Sequence, residues 1–362
     1  MKKIFSLRLI VRLKNRLLKA IDGLKKPGPK LASRNTDQPD GHQHAAPLRA
    51  LWKNFTEKLL VRQRRRSDDL TTKADNRFIA GRYSDLAGSL NYRLFVPSTC
   101  HDGMPLLVML HGCSQDPEIF ATGTRMNLHA EQLGFLVLYP AQSRLANPNR
   151  CWNWFQPLNQ YRNMGEPALI AGMTKRIIAE YNIDSHKVYI AGLSAGAAMA
   201  YIVGSVYADI YAAIGVHSGL LYRGITNLFS AMAAMKSGTD QSAKPDDATT
   251  DLQDEITSRD TQPLIVFHGD QDKVVNAQNA LDLIAYHHQK KSVREHHEND
   301  SSPPYSHTRR TFKNERGENL GEQWMIHGAG HAWSGGSIEG SYTDANGPDA
   351  SREMIRFFLE ST

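Results

Sequence analysis

Apolar positions along the chain fall into two textures that meet near Arg77. In the first, Ile10, Leu13, Leu17, Ile21 and Leu24 recur at helical spacing with lysines and arginines between them, which predicts a basic amphipathic helix. Residues 27–47 are rich in Pro, Gly, Asn, Asp and His and read as a linker. Leu48, Leu51, Trp52, Phe55 and Leu59 predict a second, short helix ending in Arg64-Arg65-Arg66, a run that suits a solvated helix end. In the second texture, short apolar runs alternate with helical patterns. Seven runs read as strands: LNYRLFVP (90–97), PLLVMLHG (105–112), GFLVLYP (134–140), KVYIAG (187–192), YAAIGVH (211–217), PLIVFHG (263–269) and EQWMIHG (322–328). Several are apolar on both faces, as strands inside a mostly parallel sheet must be. Glu166–Tyr181 and Gln278–Gln289 carry helical spacing. The alternation predicts one α/β domain over residues 77–362, with helices on both faces of its sheet, behind an arm of residues 1–76. Residues 236–260, polar and poor in aromatics, read as a mobile insertion.

Composition changes this picture mainly through charge. Hydrophobic residues at 41% and charged residues at 22% are ordinary for a globular protein, and no run of eighteen apolar residues offers a membrane-spanning helix. The net charge of +6 is unevenly placed. Residues 1–66 hold 18 Lys and Arg against 4 Asp and Glu, a net of +14, and the remaining 25 against 33 give −8. The main domain is therefore mildly acidic, which argues against nucleic-acid binding. The basic helix within residues 1–26 suits peripheral contact with an anionic membrane or granule surface, though packing on the body or a free arm is the commoner role of such a helix. Lys2 and Lys3 open like a signal peptide, but Arg8, Arg12, Lys14 and Arg16 interrupt the apolar stretch, so no cleavable signal is expected. Three cysteines do not make a disulfide scaffold.

The candidate chemistry begins where the run 187–192 meets small, helix-tolerant residues. Gly192-Leu193-Ser194-Ala195-Gly196 is a Gly-x-Ser-x-Gly sequence on a strand-to-helix corner. Such a turn thrusts its serine above the sheet, and only small neighbours let strand and helix approach. A serine hydroxyl needs a base, and in this arrangement the acid and then the histidine follow on loops after later strands. FHGDQDKVV (267–275) offers Asp270 and Asp272, and HGAGHAWSGG (327–336) offers His331. The choice between the two acids stays open on this reading. His331 is preferred to His327 because small residues flank it. The oxyanion donors are expected at the N–H of Ala195, directly after the serine, and of Cys113, after the run 105–112.

Trp152 and Trp154, clustered in CWNWF, and Trp333, two residues after His331, are candidates for an ester pocket as well as for ordinary packing. His217 ends a strand on the same rim and is a further pocket candidate, with a structural hydrogen bond as its alternative role. Trp324 lies within a strand and reads as core. His287-His288 and His296-His297 sit in polar surroundings without matched partners, so no metal site is expected, and hydrolysis by a serine needs no cofactor.

Taken together, LVMLHGCSQDP, ATGTRMN, LYPAQS, NRCWNWF, GEPALIAGM, AGLSAGAAM, GVHSGL, IVFHGDQDKVV and HGAGHAWSGG resemble the polyhydroxybutyrate depolymerase-type esterases of the α/β-hydrolase superfamily, from about Arg77 to about Leu359. The resemblance implies an α/β-hydrolase fold and a serine esterase using Ser194, Asp272 and His331, with Cys113 and Ala195 at the oxyanion. The family pattern His-Gly-x-x-Asp-x-x-Val falls on His268, Gly269, Asp272 and Val275, which favours Asp272 over Asp270. It implies as substrate a short-chain hydroxyalkanoate ester or oligomer. Such enzymes are commonly extracellular and often carry a polymer-binding domain; neither a signal nor such a domain is read here, which leaves a cytoplasmic protein open. Cys113 and Cys151 both fall in family motifs and are candidates for a disulfide, with Cys100 left free. An acetyl- or feruloyl-polysaccharide esterase is the alternative enzyme, and a non-catalytic protein that docks on surfaces through its basic arm is the alternative from another class.

Overall fold

The structure, a computed structural model, describes residues 77–238, 262–289, 291–301 and 304–361. The helices and linker expected before Arg77, and most of the insertion expected at 236–260, lie outside the described residues. The chain order is β1 (Phe78–Asp85), β2 (Gly88–Phe95), β3 (Leu106–Leu110), α1 (Pro117–Thr124), α2 (Met126–Leu133), β4 (Leu136–Ala141), α3 (Gly165–Tyr181) and β5 (Val188–Leu193). It continues with α4 (Ala195–Val206), β6 (Ala213–His217), α5 (Leu228–Ser237), β7 (Leu264–Gly269), α6 (Gln278–His288), β8 (Arg294–Asp300) and β9 (His307–Lys313). It closes with β10 (Asn319–Ile326), the short β11 (Trp333–Ser334) and β12 (Thr343–Asp344), and α7 (Ala350–Glu360).

Ten strands form one sheet in the order β1-β2-β4-β3-β5-β6-β7-β10-β9-β8. The six strands from β4 to β10 pair in parallel. Antiparallel strands flank them on both sides. The central strands β3, β5, β6 and β7 are buried at every position. Alternate residues of β3 explain why: Leu106, Val108 and Leu110 pack with Ile170 and Met173 of α3 and Ala197 and Ile202 of α4. Leu107 and Met109 pack on the other face with Phe120, Met126, Met354 and Phe358. A strand covered on both sides has no polar face to display, hence its unbroken apolar sequence. Helix α4, built of small residues, is buried along its whole length.

All seven expected strands are present, as β2 to β7 and β10, and both expected helices, as α3 and α6. The strands not expected are β1, β8 and β9 at the flanks of the sheet and the short separate pair β11 and β12. One local expectation is corrected. His287 and His288 do not sit in polar surroundings but on the buried face of α6, where His287 Nε2 meets the Gln262 carbonyl at 2.9 Å and His288 stacks on Phe312. The carboxyl ends of the six parallel strands share one edge, the edge at which open α/β sheets place their ligands.

Candidate active site

Leu193 ends β5 and Ala195 begins α4, so Ser194 alone makes the corner, at φ 56° and ψ −120°. A residue with a Cβ held there stores about 1–3 kcal/mol. The corner is held from both sides: Ser194 N–H donates to the His217 carbonyl (2.9 Å), and its own carbonyl accepts from Ala198 N–H (3.0 Å). The flanking glycines are steric necessities. A Cβ at Gly192 would lie 2.4 Å from the backbone of Gly196, and one at Gly196 would lie 2.1 Å from the Leu110 carbonyl oxygen. The first turn of α4 therefore rests on the end of β3. Gly196→Ala is expected to cost at least about 2 kcal/mol, because backbone rather than a flexible side chain blocks the added methyl. A thermal melt checks this, and a variant melting with the wild type would mean a looser corner.

Ala195 heads α4, where N–H groups have no intrahelical acceptor and the helix dipole is positive. Cys113 lies on the loop that leaves β3, and that loop is fastened at several points. Gly112 N–H donates to Gln115 Oε1 (2.9 Å), and Gln115 Nε2 donates to the Ser341 carbonyl (2.7 Å). Ser114 N–H donates to the Asn149 carbonyl (2.7 Å), and Trp152 Nε1–H to the His111 carbonyl (3.1 Å). Cys113 is bridged to Cys151, and Cys100 is free and exposed. His111 is buried, and its Nε2 accepts from Gln142 N–H (3.1 Å), so its proton sits on Nδ1 against the Gly112 carbonyl (2.8 Å). Burial pulls this ring down to about 4, which keeps it neutral at pH 7. Behind the loop, the buried carboxylate of Glu166 accepts from Gln142 Nε2 (2.6 Å), Asn153 N–H (2.8 Å) and Asn153 Nδ2 (2.7 Å). Burial pushes this carboxyl up, against the pull of those donors. Gln115, Gln142 and Glu166 were not singled out from the sequence.

On the loops after β7 and β10 the two expected partners meet. His331 Nδ1 lies 2.7 Å from Asp272 Oδ2, with the aspartate side chain fully buried and the histidine 10% exposed. Asp272 Oδ1 accepts from the N–H groups of Val274 and Val275, both at 2.8 Å. Burial alone would raise this carboxyl, but the imidazole N–H groups of His268 and His331 outweigh it and hold the group far below the usual aspartate range. The two residues not favoured above find each other: His327 Nδ1 lies 3.0 Å from Asp270 Oδ2, and Gly328 N–H donates to Asp270 Oδ1 (2.8 Å). That second pair is 41% and 32% exposed, and water screens it.

His217 links the serine corner to the histidine loop. Its carbonyl accepts from Ser194 N–H (2.9 Å) and its Nε2 from Ser334 N–H (3.0 Å), three residues after His331. Burial, with His268 and His331 adding to it, keeps this ring near 3 and so neutral. Of the two roles open to Trp152, Trp154, His217 and Trp333 on the sequence reading, an ester pocket or ordinary packing, their exposures of 0%, 4%, 0% and 0% favour packing. Each is held by packing. Trp333 stacks on His217 and donates from Nε1 to Ser351 Oγ (3.0 Å), and Trp154 meets Phe155 edge-on. The Trp324 expectation matches its 6% exposure and its stack on Phe267. An open groove of about 1020 Å³ runs along β1 and β2 beside Arg82, Arg144 and Arg150; it includes neither Ser194, Asp272 nor His331.

The family model described as Esterase PHB depolymerase matches residues 90–293, more than half of the chain. Poly(3-hydroxyalkanoate) depolymerase C of Paucimonas lemoignei is 32% identical over 255 residues, which cover 67% of this chain and 58% of that protein. Probable acetylxylan esterase A of Neosartorya fischeri is 33% identical over 138 residues, 38% of this chain and 36% of that protein. The chain thus spans just over half of the first relative's length and about a third of the second's. Among solved structures, an acetyl xylan esterase from Aspergillus awamori superposes with a TM-score of 0.59 at 18% identity, over 78% of this chain and 99% of that one, a likeness of fold.

Proposed function

The chain belongs to the PHB depolymerase esterase family, and from that premise we propose that it is a serine esterase working through an acyl-enzyme. The observation that carries the reading is the buried Asp272–His331 pair on the sheet edge that also presents the strained Ser194. A carboxylate only accepts, so His331 Nδ1 carries the proton and Nε2 keeps its lone pair for the serine hydroxyl. In this reading His331 takes the Ser194 proton as the oxygen attacks the ester carbonyl, and the N–H groups of Cys113 and Ala195 hold the oxyanion. His331 then protonates the leaving alcohol, and water activated by the same ring releases the acid. Asp272 stays charged throughout and steadies the imidazolium.

For the substrate we favour a short-chain hydroxyalkanoate ester or oligomer. Segments leaving the carboxyl ends of β4, β6, β7 and β10 expose Leu145, Leu228, Phe229, Val274, Ile338 and Tyr342. Exposed apolar side chains on segments that follow these strands suit an aliphatic acyl chain better than a polyhydroxylated one. The Cys113–Cys151 bridge supports an oxidising, extracellular setting, where structural disulfides persist. A panel of nitrophenyl esters, a hydroxybutyrate trimer, a feruloyl ester and acetylated xylan tests the reading. The trimer is expected to exceed acetylated xylan in kcat/KM by at least about tenfold, the worth of two buried methylenes at about 0.8 kcal/mol each. The reverse ranking would favour the polysaccharide-ester reading, and no turnover of any ester would favour a non-catalytic surface protein.

A further inference from the structure

His268 is the penultimate residue of β7, fully buried, and takes no part in the steps above. Its Nε2 lies 2.8 Å from the Val275 carbonyl, which can only accept, so Nε2 carries the proton. The same Nε2 lies 3.4 Å from Asp272 Oδ2. Val275 N–H in turn donates to Asp272 Oδ1 (2.8 Å). These contacts close a ring around the acid: the imidazole holds the Val275 carbonyl, Val275 N–H holds one carboxylate oxygen, and the imidazole N–H faces the other. That other oxygen is the one His331 touches at 2.7 Å. The remaining ring nitrogen, Nδ1, is buried without a hydrogen-bond partner among the described residues. An unpaired buried nitrogen is a cost that leucine or phenylalanine would avoid, so packing alone does not account for an imidazole here.

We propose that His268 is a positioning residue for the proposed esterase reaction: its Nε2–H fixes the turn 272–275 and faces the oxygen that Asp272 presents to His331. The inference deepens the reading of the Ser194 site and rests on it. His268→Gln keeps an N–H at about the reach of Nε2, whereas His268→Asn carries its amide too close to the backbone to reach Val275. Both variants of the full chain are assayed for kcat and KM on a short-chain nitrophenyl ester, for the rate of organophosphate labelling, and for Tm. His268→Gln is expected to retain most of the wild-type kcat. His268→Asn is expected to lose about tenfold to a hundredfold in kcat, as a displaced catalytic group does, with KM little changed and labelling slowed in parallel. His268→Leu, apolar and suited to the core, gives the same comparison if the Asn variant does not fold. Equal activity of the Gln variant and its donor-less counterpart overturns the proposal, whether both match the wild type or both fall together with Tm. A wild-type chain that hydrolyses no ester instead overturns the reading of the site itself.

Discussion

Ser194→Ala is expected to lower kcat on a short-chain nitrophenyl ester by about 10⁴- to 10⁶-fold and to abolish organophosphate labelling. The size follows from the proposed division of labour. Without the hydroxyl, neither His331 nor the N–H groups of Cys113 and Ala195 have an attacking atom to serve, and only a positioned water remains. The fold should survive, because alanine has the same Cβ at φ 56° and the corner's two backbone hydrogen bonds do not involve the side chain. Circular dichroism and Tm close to those of the wild type would therefore accompany the loss. A variant that keeps turnover would remove Ser194 from the chemistry.

The second large effect separates two aspartates that stand two residues apart. Asp272→Asn is expected to reduce kcat by about 10⁴-fold, the cost of holding the histidine in the wrong tautomer. Oδ1 already accepts from Val274 and Val275, so the amide nitrogen would take the place of Oδ2 and meet the N–H of His331 Nδ1. The ring would move its proton to Nε2 and lose the lone pair that the Ser194 hydroxyl needs. Asp270→Asn touches the exposed pair with His327 and leaves an amide oxygen able to accept from Gly328 N–H, so its kcat should stay within about threefold, as surface pairs contribute little. A kinetic comparison of the two variants decides: equal losses, or a larger one at Asp270, would reassign the acid. The acid response has a definite sign as well. Asp272 is held below its unfolded-state range, so its pairing stabilises the fold above that range, and this stabilisation fades as pH falls below it.

Where burial acted on both faces of a strand, the fold could be read from the residues alone, as with Leu106–Leu110 or Leu264–Gly269. Arg294–Asp300 could not, because every residue of that strand is exposed and its sequence carries no apolar period. It becomes a strand by pairing with β9, where Glu298 meets Arg309 across the ladder, a partnership that sequence spacing does not encode. The serine corner was legible because its steric demand admits only glycine at 192 and 196. The choice between Asp270 and Asp272 was not legible from position alone and rested on the family pattern, since both follow β7 closely and only the path of the loop separates a buried carboxylate from a solvated one. The tryptophans of CWNWF were ambiguous in sequence for a related reason: Trp152 is buried through the fastening of its loop by Glu166 and the disulfide, contacts between residues distant in sequence.

That disulfide has a thermodynamic side. Joining Cys113 to Cys151 closes a loop across 38 positions. In the chain-entropy picture such a closure takes about 4 kcal/mol of conformational freedom from the denatured state, against a total stability of about 5–15 kcal/mol for a typical domain. Thiol reductants would return that freedom and leave the loop bearing Cys113 held by its hydrogen bonds alone. Folding equilibrium and turnover would then respond together to the electron supply of the surroundings.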